Sequence, residues 1–340
     1  MASLDGMASN MASWYKPARK VLIKGKLREI DPPTPVLRYR LRKLHRFIAA
    51  NFRPHRGVHG GAKGRSCFSS ARVHKGRRYI IKRDVKDCYP SIKTAALLDR
   101  LVAYGFCEET ARILSLLMTL NGRLPHGSPV SADALNLFLF EADEVIVAKC
   151  TVLGGKYSRT YDDMVVSTNS GAASRELGEV LESQIAAHGL EVNSRKRAKE
   201  GFQPPHKRQL VHNIDVRSAG GVRIVREHEQ KALAVATRYV RAARCVSPES
   251  LEPVALLRSQ AAGYMHYCGQ ADFGPAKQLR RLLKQGDRHV RKRLTNECVT
   301  RCRKWWIISL RRNKAKQIAQ RWRALQDEES RSSAPSTSIA

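Results

Sequence analysis

The stretch from Tyr157 to Ser167, YSRTYDDMVVS, constrains this chain more than any other. β-forming residues end at Tyr161 and resume at Val165, so the segment reads as a β-hairpin with Asp162 and Asp163 at its tip. Side chains alternate across a strand, so the two acids face the same way only if the turn twists them. Asp162 is the inward-facing choice. Neighbouring carboxylates repel, and a fold that holds them close usually offers them a cation. Taken alone, an Asp-Asp pair is as readily a solvated turn.

A chain of 340 residues can bury a full core and hold two or three subdomains. Its 62 basic and 30 acidic residues give a net charge of +32, more than solubility requires, which points to nucleic acid as a partner. No apolar run approaches the roughly 18 residues of a spanning helix. The N-terminus also lacks the apolar core of a signal peptide, so a cytoplasmic location without a membrane partner is expected. The eight cysteines show no CxxC spacing, as expected of free thiols in a reducing compartment without structural zinc.

Residues 1–30 read as a disordered leader in which Met-Ala-Ser recurs at Met1, Met7 and Met11. The spacing of Leu41, Leu44, Phe47 and Ile48 predicts a helix over 38–53, packed on that face and cationic on the other. A Gly-rich basic loop follows, from His55 to Ser66. It lacks a Walker pattern, and reads either as a solvated loop or as one closing over a triphosphate or template. Tyr79 to Val85 reads as a strand with Asp84 at its C-terminal end, followed by helices near 93–104 and 108–120. In Leu124–Asn136 (LPHGSPVSADALN), Gly127 leaves room for backbone to approach a ligand. One helix is expected over 130–149 with Leu135, Phe138, Ala142, Val145 and Ile146 inward. A helix after Gly171, a strand-like Leu190–Asn193 with Lys196 beyond it, and a hairpin turning at 218–221 complete this region. The order strand, helix, strand, strand, helix, strand predicts an α+β, split βαβ layout with Asp84 and Asp162 on central strands.

From Glu229 the pattern is helical, with Leu233, Ala236, Val240, Leu256, Ala261, Tyr264 and Leu279 inward, as in a small bundle. A basic helix over 290–325 interleaves Trp305, Trp306 and Trp322 with arginine and lysine. That composition suits either a base-stacking surface or a packed face.

In this order and spacing the pieces resemble a reverse transcriptase, most of all the bacterial retron type, over roughly residues 38–285. Asp84 in RDVKDCYPSI resembles the first palm motif, LPHGSPVSADALN the LPQG-SP-S-N motif, and Asp162-Asp163 the YxDD box. Leu190 to Lys196 resembles the segment ending in lysine, RQLV at 208–211 the stretch before the thumb, and GYMHY at 263–267 the thumb's GxxxY pattern. His59-Gly60 and SSARVH at 69–74 are similar to two retron elements. The chain departs from the pattern at Thr160 for the box's tyrosine, His126 for glutamine, Ser70 for asparagine, and His212-Asn213 where retrons often have Thr-Gly.

The resemblance implies a right-hand polymerase: fingers at 31–83, palm with the remaining fingers elements at 84–226, and an all-α thumb at 227–288. A basic C-terminal helix at 289–327 and a disordered tail at 328–340 would follow. It implies RNA-directed DNA synthesis with two Mg²⁺ ions held by Asp84, Asp162, Asp163 and the Val85 carbonyl. Lys196 would meet the leaving pyrophosphate or remain a surface lysine, and Tyr89 would exclude a 2′-hydroxyl or be a buried aromatic. Lys63 or Arg65 would reach the triphosphate, and Gly127 with His126 or Ser128 would lie near the incoming nucleotide. His74, Arg208, Gln209, Tyr264, Arg303, Lys304, Arg311 and Arg312 would face RNA or DNA. The implied partners are a non-coding RNA serving as template and primer, the RNA–DNA product, dNTPs, and an effector protein or second copy in antiphage defence. The rival readings are a defence enzyme outside the retrons that extends DNA with little templating, and an RNA-binding scaffold with an idle site.

Overall fold

The computed structural model describes Gly6 and residues 10–23, 26–247 and 250–293, so the expected basic helix past residue 293, with Arg303, Lys304, Arg311 and Arg312, lies outside the described residues. The chain divides between Val222 and Arg223 into two compact units.

In the first unit, Met11–Trp14 forms a 3₁₀ turn with Met11 buried, and β1 (Arg19–Ile23) pairs antiparallel with β2 (Lys26–Ile30). The expectation of a disordered leader through residue 30 is thereby corrected. Helix α1 (Pro35–Asn51) starts earlier than the hydrophobic spacing suggests, because Thr34 caps it by accepting from the Leu37 N–H and Pro35 supplies a preset φ. Leu37, Leu41 and Ile48 are buried, whereas Phe47, expected inward, is exposed. Helix α2 (Cys67–Val73) opens with a Ser66–Ser69 capping box.

Strand β3 (Tyr79–Asp84) leads through a left-handed Asp87 into the short α3 (Cys88–Ser91), then α4 (Thr94–Ala103) and α5 (Glu108–Met118). The single helix expected at 130–149 is two, α6 (Ser131–Phe138) and α7 (Phe140–Val152), separated at Leu139. Val145, expected inward, is exposed as a result. Strands β4 (Lys156–Thr160) and β5 (Asp163–Thr168) form the expected hairpin, and α8 (Gly171–Ala187) follows under a Ser170 cap. Asn193 caps α9 (Ser194–Glu200), which carries Lys196. Leu190–Asn193 itself is no sheet strand: a Val85–Val192 bridge, flanked by a Lys86–Glu191 ion pair and an Asn193–Asp84 hydrogen bond, joins it to the end of β3.

The fourth strand is instead β6 (Phe202–Gln203), and the antiparallel sheet runs β4-β5-β3-β6, as a split βαβ arrangement requires. β7 (Leu210–Val211) and β8 (Ile214–Asp215) close a tight hairpin ahead of the turn expected at 218–221. His212 and Asn213 both take left-handed backbone there, as a two-residue turn between twisted strands demands. Leu177, Leu181 and Ile185 of α8 are buried, and Arg83 of β3 ion-pairs with Glu182 on that helix. Both faces of β5 are consequently covered, and Met164 through Thr168 are all buried.

The second unit holds β9 (Arg223–Ile224), α10 (Arg226–Arg244), α11 (Leu251–Cys268) and α12 (Ala276–Arg293). Ala236, Val240, Ala261 and Leu279 are buried as expected, but Leu256 is exposed. Tyr239 and Arg258 converge on Asp287, tying the three helices together. Among the described residues no helix is long and apolar enough to cross a membrane.

Candidate active site

The β4–β5 turn is held in place by a buried cluster. Arg159, fully buried, makes a bidentate pair with Asp143 on α7, to which Tyr157 also donates, and reaches the carbonyl of Tyr161 at 3.0 Å. Tyr161 takes left-handed backbone (φ 57) so that two residues close the hairpin. The chain at 57–60 lies alongside β4, with Val58 bridged to Arg159 and the His59 N–H donating to the Arg159 carbonyl at 2.7 Å. Gly60 packs so tightly on the turn that an added Cβ would sit 2.3 Å from the Tyr161 nitrogen.

This frame brings Asp162 to the end of β3. The Val85 N–H donates to the Asp162 carbonyl at 3.1 Å, and Asp84, Val85, Tyr89, His126, Asp162 and Lys196 line one cleft. Burial raises the Asp162 carboxyl above its ordinary pKa, and the Asp84 charge raises it further. The Lys196 ammonium rests on Asp84, whose other oxygen accepts from Asn193 at 3.2 Å. Desolvation would lower the lysine's pKa, but the hydrogen bond and charge of Asp84 override it and raise it.

Asp163 is held elsewhere. Cross-strand from Asp84, it lines a neighbouring cleft with Lys82 and His212, and its carboxylate is 3.1 Å from His212 Nδ1. Burial pushes its pKa up, but the His212 hydrogen bond prevails and holds it below the ordinary carboxylate range. The expectation of three acids lining one cleft is corrected in part: Asp84 and Lys196 border both clefts, Asp162 one and Asp163 the other, while the charge of Asp163 adds to burial and the charge of Asp84 in raising the Asp162 pKa.

Two hard oxygen donors lining one cleft, one of them destabilised as an anion and the other already paired with the Lys196 ammonium, fit a divalent metal ion. The fit is to a two-carboxylate site, since among the described residues no group of three or more His, Cys, Asp or Glu could hold a metal.

Several sequence-based assignments change. Arg65 spends its guanidinium on the carbonyls of His55, Arg56 and Val58, and exposed Lys63 does not line the cleft. Besides Lys196, the cations that line it are Arg28 on β2 and Arg123; Arg28 was missed because β2 lies in the supposed leader, and Arg123 because it stands just ahead of the LPHGSP motif. Gly127 (φ 102) serves close packing on the end of β2: a Cβ there would meet Ile30 at 2.9 Å. Ser128 Oγ accepts from the Val130 N–H at 3.5 Å and is not part of the cleft wall. His74 is fully buried between Ser158 and Ser167, and Gln209, also buried, donates to the carbonyls of Arg78 and Gln203, so neither presents a surface. Arg208 is exposed, and Tyr264, in the second unit, packs its ring 5.5 Å from that of His228. Tyr89 stands in the cleft with its ring 5.2 Å from that of His126, and burial raises its pKa.

Residues 23–207 match the family described as reverse transcriptase (RNA-dependent DNA polymerase). The chain is 26% identical over 200 residues to the retron Se72 reverse transcriptase of Salmonella heidelberg, covering 57% of this chain and 52% of that protein. It is 29% identical over 178 residues to the retron Mx162 reverse transcriptase of Myxococcus xanthus, covering 47% and 36%. The chain thus spans about half or less of the length of the curated relatives it matches. Among solved structures, apo telomerase from Candida tropicalis aligns with 91% of this chain and 67% of its own at 10% identity, with a TM-score of 0.46.

Proposed function

The chain belongs to the reverse transcriptase family, a family of right-hand polymerases that work with divalent metal ions, and from that premise we propose that it is a retron-type RNA-directed DNA polymerase. The observation that carries this reading is the convergence of Asp84 and Asp162, remote in sequence, on one cleft beside a lysine and two arginines. On this reading Asp84 and Asp162, with the Val85 carbonyl, would hold two Mg²⁺ ions. Such ions supply Lewis acidity toward the phosphoryl group and the attacking hydroxyl.

The protein's own groups do the rest. Arg28 and Arg123 hold the triphosphate from the β2 side, in place of Lys63 and Arg65. Tyr89 presents its ring face to the sugar and leaves no room for a 2′-hydroxyl. His126 supports that ring, and burial, reinforced by the charge of Arg28, keeps its pKa below the ordinary value, so it is neutral near pH 7. Lys196 carries a proton close to the departing pyrophosphate.

The fingers then include β1–β2 together with 31–83, the palm spans 84–226, and the helices α10–α12 form the thumb, with Arg208 and Tyr264 toward the nucleic acid. The net charge of +32 supports an RNA partner. Part of it lies on the outer face of α1, where Arg38, Arg42, Lys43 and Arg46 are exposed beside Tyr39 and Phe47. A dedicated non-coding RNA as template and primer, an RNA–DNA product, a cytoplasmic location, and service in antiphage defence with an effector protein or second copy complete the proposal.

Purified protein given a primed RNA template, Mg²⁺ and labelled dNTPs is expected to extend the primer, and Asp162→Asn is expected not to. No incorporation by the wild type, or equal incorporation by the variant, sinks the reading. Sequencing of copurifying nucleic acid is expected to return DNA joined to one RNA species; RNA without DNA would favour the idle scaffold.

A further inference from the structure

His212 belongs to no part of the chemistry above, yet both its ring nitrogens are engaged. Nδ1 is 3.1 Å from Asp163 Oδ2, and Nε2 is 3.0 Å from Ser70 Oγ. From Ser70 the contacts continue inward: 2.7 Å to Ser158 Oγ, 2.7 Å from there to His74 Nε2, and 2.7 Å from His74 Nδ1 to Ser167 Oγ. Ser70, His74, Ser158 and Ser167 are all fully buried. Burial lowers the His74 pKa to about 3, so its ring is neutral and each nitrogen has one role.

A carboxylate only accepts, so His212 donates from Nδ1 to Asp163, while its Nε2 pairs with the Ser70 hydroxyl. The contacts from His212 through Ser70, Ser158 and His74 to Ser167 form one continuous chain, and linked hydrogen bonds of this kind strengthen cooperatively. The chain ends at buried Ser167, so it leads nowhere for a proton to go. It links the turn of β7–β8, helix α2 and both strands of the Asp162–Asp163 hairpin. His212 also occupies left-handed backbone (φ 52), a conformation that persists where surrounding contacts over-determine it.

We propose that His212 is a positioning residue of the polymerase site: anchored through both ring nitrogens, it fixes the Asp163 carboxylate in its own cleft and locks the catalytic hairpin against the β7–β8 turn. The inference rests on the polymerase reading above.

The test is steady-state primer extension on an RNA template in Mg²⁺ by the full chain, comparing wild type, His212→Ala, Asp163→Ala and the double variant. If His212 acts through Asp163, each single variant lowers kcat by about tenfold with KM for dNTP within about twofold, and the double variant is no slower than the slower single one. His212→Asn, which can still offer an N–H to Asp163, recovers most of the loss. Multiplicative losses in the double variant, wild-type kcat in His212→Ala, or no rescue by asparagine would overturn the proposal. Should His212→Ala fail to fold, His212→Asn against His212→Gln decides: Asn active and Gln impaired is expected, and equal rates overturn it. A wild type that extends no primer defeats the polymerase reading and this inference with it, whereas an active wild type with an unimpaired His212→Ala defeats this inference alone.

Discussion

Asp162 carries an electrostatic penalty when no cation is present. Its pKa is raised in the folded state, so the fold favours the protonated carboxyl, and stability is lost as pH rises through the folded value. At neutral pH the charged group is therefore a net cost to the metal-free protein. Asp162→Asn is expected to raise the metal-free melting temperature by about 2–4 °C, which corresponds to roughly 1 kcal/mol, while abolishing DNA synthesis; a lowered melting temperature would contradict this. Tyr89 makes a separate prediction. Tyr89→Ala should relax discrimination against ribonucleotides by on the order of tenfold to a hundredfold in kcat/KM, and unchanged discrimination would remove Tyr89 from the sugar-facing role. Asp84, Asp162, Tyr89, His126 and Lys196 were legible in the sequence because their motifs stand at strand ends and turns whose local pattern is strong. The misplacements of Arg65, His74 and Gln209 share one cause: each side chain meets partners distant in sequence or backbone carbonyls, which residue spacing does not encode.

The hairpin that presents Asp162 depends on the chain laid beside it. Gly60→Ala would drive a Cβ into the Tyr161 nitrogen, and the turn would have to move. A displacement near 1 Å at a reacting group costs about a hundredfold in rate, so kcat for primer extension is expected to fall by that order. Near-wild-type kcat would mean that the turn does not depend on this contact. The central strands β3, β4 and β5 were readable because β-forming runs and breakers coincide there. The break between α6 and α7 was not, because Leu139 and its neighbours remain apolar across it and no glycine or proline marks the site. Likewise β1 (RKVLI) and β2 (KLREI) do not alternate polar and apolar residues, and Val21, Leu22 and Leu27 are exposed, so nothing in their pattern demands a sheet. The two-residue turn at His212-Asn213 lacks the glycine that would have announced it.

Across the molecule, acid sensitivity follows from two histidines that fold in the neutral form. Burial holds His59 to about 4 and His74 to about 3, while the unfolded chain takes up these protons near pH 6.5. Their contribution is fully present above that value and is lost as pH falls toward 4 and then 3, by on the order of 1 kcal/mol per pH unit for each. Urea midpoints should therefore drop steadily from pH 7 to pH 5, and His59→Asn should flatten the slope. A midpoint constant over that range would contradict the assignment.

On the proposed reading Asp84 and Asp162 share one divalent-cation site that Asp163 does not line. Titrating Mn²⁺ into the protein and following free Mn²⁺ by electron paramagnetic resonance tests it directly. Asp84→Asn and Asp162→Asn are each expected to weaken binding at least about tenfold while Asp163→Asn stays within about twofold of wild type. Equal losses in all three variants, or undiminished binding in the first two, would contradict it.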